Sequence, residues 1–259
     1  MLPDLALRST DEPINPDQYR YVATHAWWMG SFAAETGMHV HLSEHLVQQW
    51  TPARPDRDWL IDRELTGRHT WLAGSRAEAR AAGYDPCDAW PTGRFRAPHG
   101  DFYAGLHSAP PRPRAGSWAA PTPEFLAGLP RDPDELRARL CADHPPRRHG
   151  GPFTAAVDAL RTCTVPADLR AALYGALVGL PAVRLGEITD ADGNACAALV
   201  HDAGATRTEL LVDPVDGQYA GERDTLRRDS TCGLTAGTVI ASTSVRTAVV
   251  DAIGVLPGF

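Results

Sequence analysis

The residues whose types and spacing first suggest chemistry are three histidines, His39, His41 and His45. Side chains of a strand alternate between its two faces, so these three share one face if the segment is extended. Neutral imidazoles in that arrangement are good ligands for zinc or another transition metal. A second constellation is aromatic. Tyr21, His25 and Trp27 share a face of the preceding alternating stretch, and Trp59 is expected to join them across the sheet. Such a wall suits a flat or polyene-like apolar molecule, with His25 or Tyr21 supplying a directional hydrogen bond. With His41, Trp71, Tyr103 and Trp118 these four make the expected ligand-binding set. The competing reading is that large aromatics fill cores, and it applies to all seven tryptophans, including Trp28, Trp50 and Trp90.

The metal reading weakens on inspection. Glycine ahead of H-x-H resembles the cupin metal motif, but Glu44 follows His41 too closely and points to the opposite face. Solvated polar groups of a half-buried sheet are the default for these histidines, and no metal or cofactor is expected. Asp101 and Tyr103 in Gly100-Asp101-Phe102-Tyr103 are acid–base candidates of a kind common in loops. No G-x-S-x-G, G-x-G-x-x-G or H-E-x-x-H occurs, and Ser242 and Ser244 have no identifiable base.

Composition removes further classes. All 25 basic residues are arginine, which excludes a lysine Schiff base, a P-loop lysine and a serine–lysine dyad. The net charge of −7 argues against a nucleic-acid footprint and against a polybasic membrane patch. Five cysteines, an odd number without a C-x-x-C pair, argue against a zinc ribbon or a disulfide framework; Cys141–Cys163 is the one bridge left open. A hydrophobic fraction of 43% beside 22% charged residues is that of a folded globular chain. No signal peptide and no apolar run near the ~20 residues of a membrane span is visible, so the chain as written reads as cytoplasmic. It would be extracytoplasmic if trimmed from an envelope protein.

The elements that must position these residues read as strands, then helices, then strands. Residues 1–17 are a flexible arm and residues 18–259 a single domain. Alternation marks strands at Tyr19–Trp27 and Met38–Trp50, separated by a turn region from Gly30 to Gly37. WLIDREL and HTWLAG read as two more, joined at Thr66-Gly67, to give an antiparallel meander within 18–74. Residues 83–120, rich in Gly, Pro and Arg, read as a long irregular loop. Helices follow within 121–180. Asp132-Pro133-Asp134-Glu135 forms a capping box, FTAAVDALRTC is a second helix, and Pro166 opens a third whose leucines and alanines make one stripe. Strands return from 182 to 250, with Asp-Gly turns at Asp190–Gly193 and Pro214–Gly217. An α+β fold with a strongly curved antiparallel sheet and helices packed on its concave side satisfies this order, leaving a cleft where the helices do not cover apolar surface.

Three stretches carry a family resemblance: Gly116-Ser117-Trp118 followed by PTPEFLAGLPRDPDELRARL, then RTCTVPADLRAALYGALVGLPAV, then DPVDGQYAGERDTL with AGTVIASTSVRTAVVD. In this order and spacing, over roughly Tyr19 to Val255, the chain resembles a family of actinobacterial single-pass envelope proteins. These have a short cytoplasmic segment, one membrane helix and an outer domain. The resemblance implies an outer domain similar to the lipoprotein-carrier half-barrel, with an apolar cavity; the membrane helix is missing here. It brings no catalytic residue with it, and fold does not determine function. The first expectation is therefore binding of a small apolar or aromatic molecule in the half-barrel cleft. The alternative is a cofactor-independent cyclase or isomerase of natural-product, polyketide-like biosynthesis using the same cleft, which could work by folding its substrate into a near-attack conformer. A second alternative is an envelope-associated regulatory or sensor domain. Neither nucleic acid nor membrane insertion is expected, and the oligomeric state is left open.

Overall fold

The computed structural model describes residues 9–35, 37–89, 91–102, 115–145, 151–190 and 192–258. Its strands are β1 (Tyr19–Ala34), β2 (Gly37–Pro52), β3 (Asp58–Ala73), β4 (Gly93–Pro98), β5 (Val183–Thr189), β6 (Ala195–Ala203), β7 (Thr206–Val212), β8 (Tyr219–Leu226) and β9 (Val239–Val250). The helices are α1 (Arg76–Ala81), α2 (Pro123–Ala127), α3 (Pro133–Asp143), α4 (Gly151–Arg161) and α5 (Ala167–Val178), with a 3-10 turn at Pro86–Ala89. The architecture is α+β, an antiparallel nine-stranded sheet in the order β4-β3-β2-β1-β9-β8-β7-β6-β5 that ends at β4 and β5 without closing. By its contacts the chain divides into two compact units.

The strand unit comprises Glu12–Pro111, Gly204–Arg207 and Glu222–Phe259. It is built on β1, β2 and β3, each 16 residues long. The turn expected at Gly30–Gly37 is mostly strand: β1 pairs with β2 without a break from Tyr19↔Pro52 to Ala34↔Gly37. Extension there lets Phe32 stack on His39 at 4.8 Å, a cross-strand pair that a wide turn would forfeit. The two strands expected either side of Thr66-Gly67 are one strand, β3. Gly67, at φ +78°, sits where the β2–β3 register shifts between Ser43↔His69 and His45↔Leu65. Three residues of β3 there face one of β2, a bulge that glycine's freedom at positive φ permits. Part of the expected irregular loop is also strand, because β4 pairs with β3 from Asp58↔Pro98 to Arg63↔Gly93. Tyr19, Tyr21, Trp50 and Val250 form a buried cluster on one face, with Leu60, Ala248 and Ile253 against it. The Trp50 indole donates to the Val255 carbonyl at 2.7 Å and so ties down the C-terminal segment.

The helical unit comprises Met1–Asp11, Arg112–Ala203 and Thr208–Gly221. Asp132 caps α3 as expected, its carboxylate accepting from the backbone of Asp134 and Glu135 ahead of Pro133 in the first turn. Helix α4 is buried at Phe153, Ala155, Ala156, Val157, Ala159 and Leu160, with Thr154, Asp158 and Arg161 making its less buried side, and Phe153 stacks on His201 at 4.5 Å. Helix α5 starts after Pro166, which offers no side-chain acceptor. Asp11 supplies one from the N-terminal segment, accepting the Ala167 N–H at 2.7 Å. A second cluster joins Cys196, Ala198 and Val200 of β6 to Leu211 and Ala220. Among the described residues no cysteine is in a disulfide, Cys141 and Cys163 included. Among the described residues no helix is long and apolar enough to cross a membrane.

Candidate functional site

Strand alternation and the two ladders of β2 sort the chemistry of the strand unit onto opposite faces of β1–β3. One face carries Tyr21, His25, Trp27 and Met29 of β1 opposite Trp50, Leu46, Glu44 and Leu42 of β2. The other carries Phe32, Gly30, Trp28 and Ala26 opposite His39, His41, Ser43 and His45, which continue on β3 to Trp71, His69 and Leu65.

On the first face a carboxylate is buried at the centre. Glu44 accepts from His25 Nε2 at 2.9 Å and Arg68 Nη1 at 3.0 Å on Oε1, and from the Thr66 hydroxyl at 2.6 Å on Oε2. The β3 bulge makes this possible, since Thr66 and Arg68 both lie where β3 is wound past Glu44. Burial pushes the Glu44 carboxyl up, but the Thr66 and His25 hydrogen bonds and the Arg68 charge outweigh it and hold the group below the usual carboxylate range. The Arg68 guanidinium also stands over the Trp27 ring, 5.6 Å from its centroid. Around this charge the face is apolar and open: Met29 is 42% exposed and Leu46 and Met38 are each 37% exposed, beside half-buried Trp27 and Leu42.

On the second face a chain of side chains runs from one half-buried end to another. Tyr84 Oη lies 3.1 Å from His41 Nε2; His41 Nδ1 and His69 Nδ1 each lie 3.0 Å from Ser43 Oγ; His69 Nε2 lies 3.7 Å from Cys87 Sγ. A hydroxyl has one proton to give, so Ser43 donates to one imidazole and accepts from the other. The two neutral imidazoles are therefore in opposite tautomers, and the chain holds a single polarity at any moment. Burial lowers the His41 pKa, with the neighbouring His69 adding to the effect. Burial and then Arg76 lower that of His69, against a pull upward from Asp85. His45 is driven down to about 4, first by burial and then by Arg63, His69 and His41. Among the described residues no group of three or more His, Cys, Asp or Glu is placed to hold a metal ion.

The eight residues expected to bind ligand are thus not one wall. His25 and Trp27 share the open face. Tyr21 is on that face too but buried against Trp50, ring centroids 5.2 Å apart, and burial raises its pKa. His41 and Trp71 line the opposite face, 5.1 Å apart by ring centroid. Trp59 has the alternation of Ile61 and Arg63, so it faces away from Tyr21 rather than joining it. Trp118 is core of the helical unit, edge-on to Phe125 and donating to Asp143 at 2.9 Å. Tyr103 and Trp90 lie outside the described residues. Thr66 and Arg68 on one face, and Ser43, His69, Tyr84 and Cys87 on the other, belong to the site without having been expected. Ser43 and His69 share alternation with His41 and Trp71, a signal that was present; Tyr84 and Cys87 are in a connecting segment with no periodicity to mark them. The chain matches no model of a known protein family and no curated protein.

Proposed function

We propose that this protein binds a small apolar or aromatic molecule against the open face of β1–β3, with Trp27, Met29, Leu42 and Leu46 as its floor. The observation that carries the reading is the cluster of large apolar side chains left open to water around a buried, fully hydrogen-bonded carboxylate. Scattered exposed apolar residues are ordinary; a contiguous group on a strand face has a use. The charge beneath it fixes His25 and Arg68, so the polar groups offered to a ligand are held in place before it arrives, which lowers the cost of binding. In this proposal the strands bow into a half-barrel with helices on the concave side, this face lines the hollow, and the chain is an outer domain of the envelope family it resembles.

Titration with N-phenyl-1-naphthylamine, a neutral apolar fluorophore, tests the reading. A saturable rise in fluorescence is expected, weakened about ten-fold or more by Trp27→Ala with Met29→Ser, a loss of roughly 1.4 kcal/mol per decade. A linear, unsaturable response, or equal affinity in the double variant, removes it.

One observation favours a cofactor-free cyclase or isomerase on the same face. With Nε2–H committed to Glu44, the His25 imidazole has Nδ1 as its basic nitrogen and a carboxylate behind it to stabilise the imidazolium. A His25→Ala protein that binds a candidate substrate undiminished but no longer turns it over would establish this second reading. Equal turnover without protein would dismiss it.

A further inference from the structure

The chain of side chains on the opposite face ends in a thiol, and we propose that Cys87 is a nucleophile served by His69, a dyad that captures soft carbon electrophiles such as α,β-unsaturated carbonyl compounds. Three features make the arrangement more than a cysteine near a histidine. The base is within reach: His69 Nε2 is 3.7 Å from Sγ, within the range of a hydrogen bond to sulfur. The base is oriented by a third group, Ser43, which is 2% exposed and holds Nδ1 at 3.0 Å. That third group is itself held by His41, also 2% exposed, and His41 in turn by Tyr84. Nucleophile, base and a buried orienting group in series are the requirements of an activated nucleophile. The reacting end is also half-exposed, as a capture site needs, while Ser43 and His41 behind it are out of water.

One of the two polarities allowed to the chain makes His69 the base. His41 Nε2–H donates to Tyr84, Ser43 O–H donates to His41 Nδ1, and His69 Nδ1–H donates to Ser43 Oγ. The lone pair of His69 Nε2 then faces the thiol. Because burial and Arg76 keep His69 neutral near pH 7, that lone pair is available. In the reaction the S–H proton passes to His69 Nε2 as sulfur bonds to the β-carbon of the electrophile. The π pair moves onto the enolate, and His69 returns the proton to the α-carbon. Atoms and electrons balance with no oxidant or further reactant. Asp85 works against the thiolate: its carboxylate accepts from the Cys87 N–H at 3.0 Å and also from the thiol, so it competes with His69 for the S–H proton, which must turn from Asp85 to His69 for the reaction to begin. The other cysteines differ. Cys163 and Cys196 are buried, and burial raises Cys196 to about 11; Cys141 and Cys232 are half-exposed like Cys87 and serve as internal references.

The full chain is treated with N-ethylmaleimide from pH 5 to 9, and the rate at each cysteine is read by peptide mass mapping. Cys87 is expected to react about ten-fold or more faster than Cys141 and Cys232 at pH 7, a comparison that needs no variant. His69→Gln is expected to lower the Cys87 rate about ten-fold and move its rise to the pH range of the reference cysteines. Ser43→Ala, which loosens the base without removing it, should give an intermediate profile, and Asp85→Asn a faster reaction. A Cys87 rate no greater than that of Cys232 overturns the proposal. So does a His69→Gln protein with an unchanged rate and pH profile, or an Asp85→Asn protein that reacts more slowly. The apolar fluorophore binds the other face, so either proposal can fail without the other.

Discussion

Gly30 and His41 face each other across the β1–β2 ladder with no space for a side chain between them. A Cβ on Gly30 would lie 2.6 Å from His41 Cε1 and 2.8 Å from its Nε2. Gly30 does not have a positive φ, so it is glycine for room and not for backbone freedom. The imidazole cannot step aside cheaply, since Tyr84 and Ser43 hold its two nitrogens and Trp71 packs beside it. Gly30→Ala is therefore expected to destabilise the strand unit by about 1–3 kcal/mol, the usual cost of overpacking a buried site. Urea unfolding gives the value directly. An alanine protein with an unshifted midpoint would show that His41 is not fixed where the hydrogen bonds place it.

The same pair shows what was legible in the sequence. Gly30 and Gly37 read as a turn because glycine is the usual mark of one, whereas Gly30 answers to a ring on the neighbouring strand that only pairing brings near. Alternation revealed the strands and their faces: His39, His41 and His45 do lie together, as do Tyr21, His25 and Trp27. It could not reveal Trp59 as belonging with the histidines, because that depends on the register of a third strand. Nor could it show that the bulge at Gly67 sends Thr66 and Arg68 to the same carboxylate, since a bulge in β3 and a turn between two strands look alike in sequence. The helices were the most legible elements, because capping at Asp132 and termination near Pro181 are local signals. Cys87 and Tyr84 reach the histidines through tertiary folding alone.

Acid should unfold this protein through histidines that are buried, His41 and His45, or half-buried, His69 and His201. His41, His45, His69 and His201 all have folded-state pKa values below that of an exposed histidine, with burial the leading cause in each. A depressed histidine binds its proton more readily when unfolded, so its contribution is complete above the unfolded pKa near 6.5. That contribution is lost as pH falls from there toward the folded value. For His45, which titrates at about 4, the loss between pH 7 and pH 5 is about 2 kcal/mol. The depressed carboxyl of Glu44 acts in a lower window, stabilising above the unfolded carboxylate pKa and failing as pH drops through the folded one. Urea midpoints are expected to fall steadily between pH 6.5 and 4, and His45→Gln to flatten that dependence while lowering stability at pH 7. A midpoint independent of pH from 7 to 5 would contradict the neutral state of these rings.

In the helical unit the test falls on Arg170 and Asp11. Arg170 is 3% exposed, and its guanidinium donates to the carbonyls of Gly217 at 2.8 Å, Val165 at 3.0 Å and Thr10 at 2.8 Å as well as to Asp11 at 2.9 Å. It therefore joins the N-terminal segment, the start of α5 and the β7–β8 turn. Asp11 answers its single charge through Oδ1 while capping α5 through Oδ2. A buried guanidinium left without its carboxylate is expensive, and lysine cannot reproduce the planar fork. Arg170→Lys is expected to cost about 2 kcal/mol or more, and Asp11→Ala about 1–2 kcal/mol, since it loses both a cap and an ion pair. Because the two residues share one network, the double variant should lose about 1 kcal/mol less than the sum of the single losses. Additivity in that cycle would mean that the N-terminal segment is held by something other than this pair, and that the start of α5 is stable without a borrowed cap.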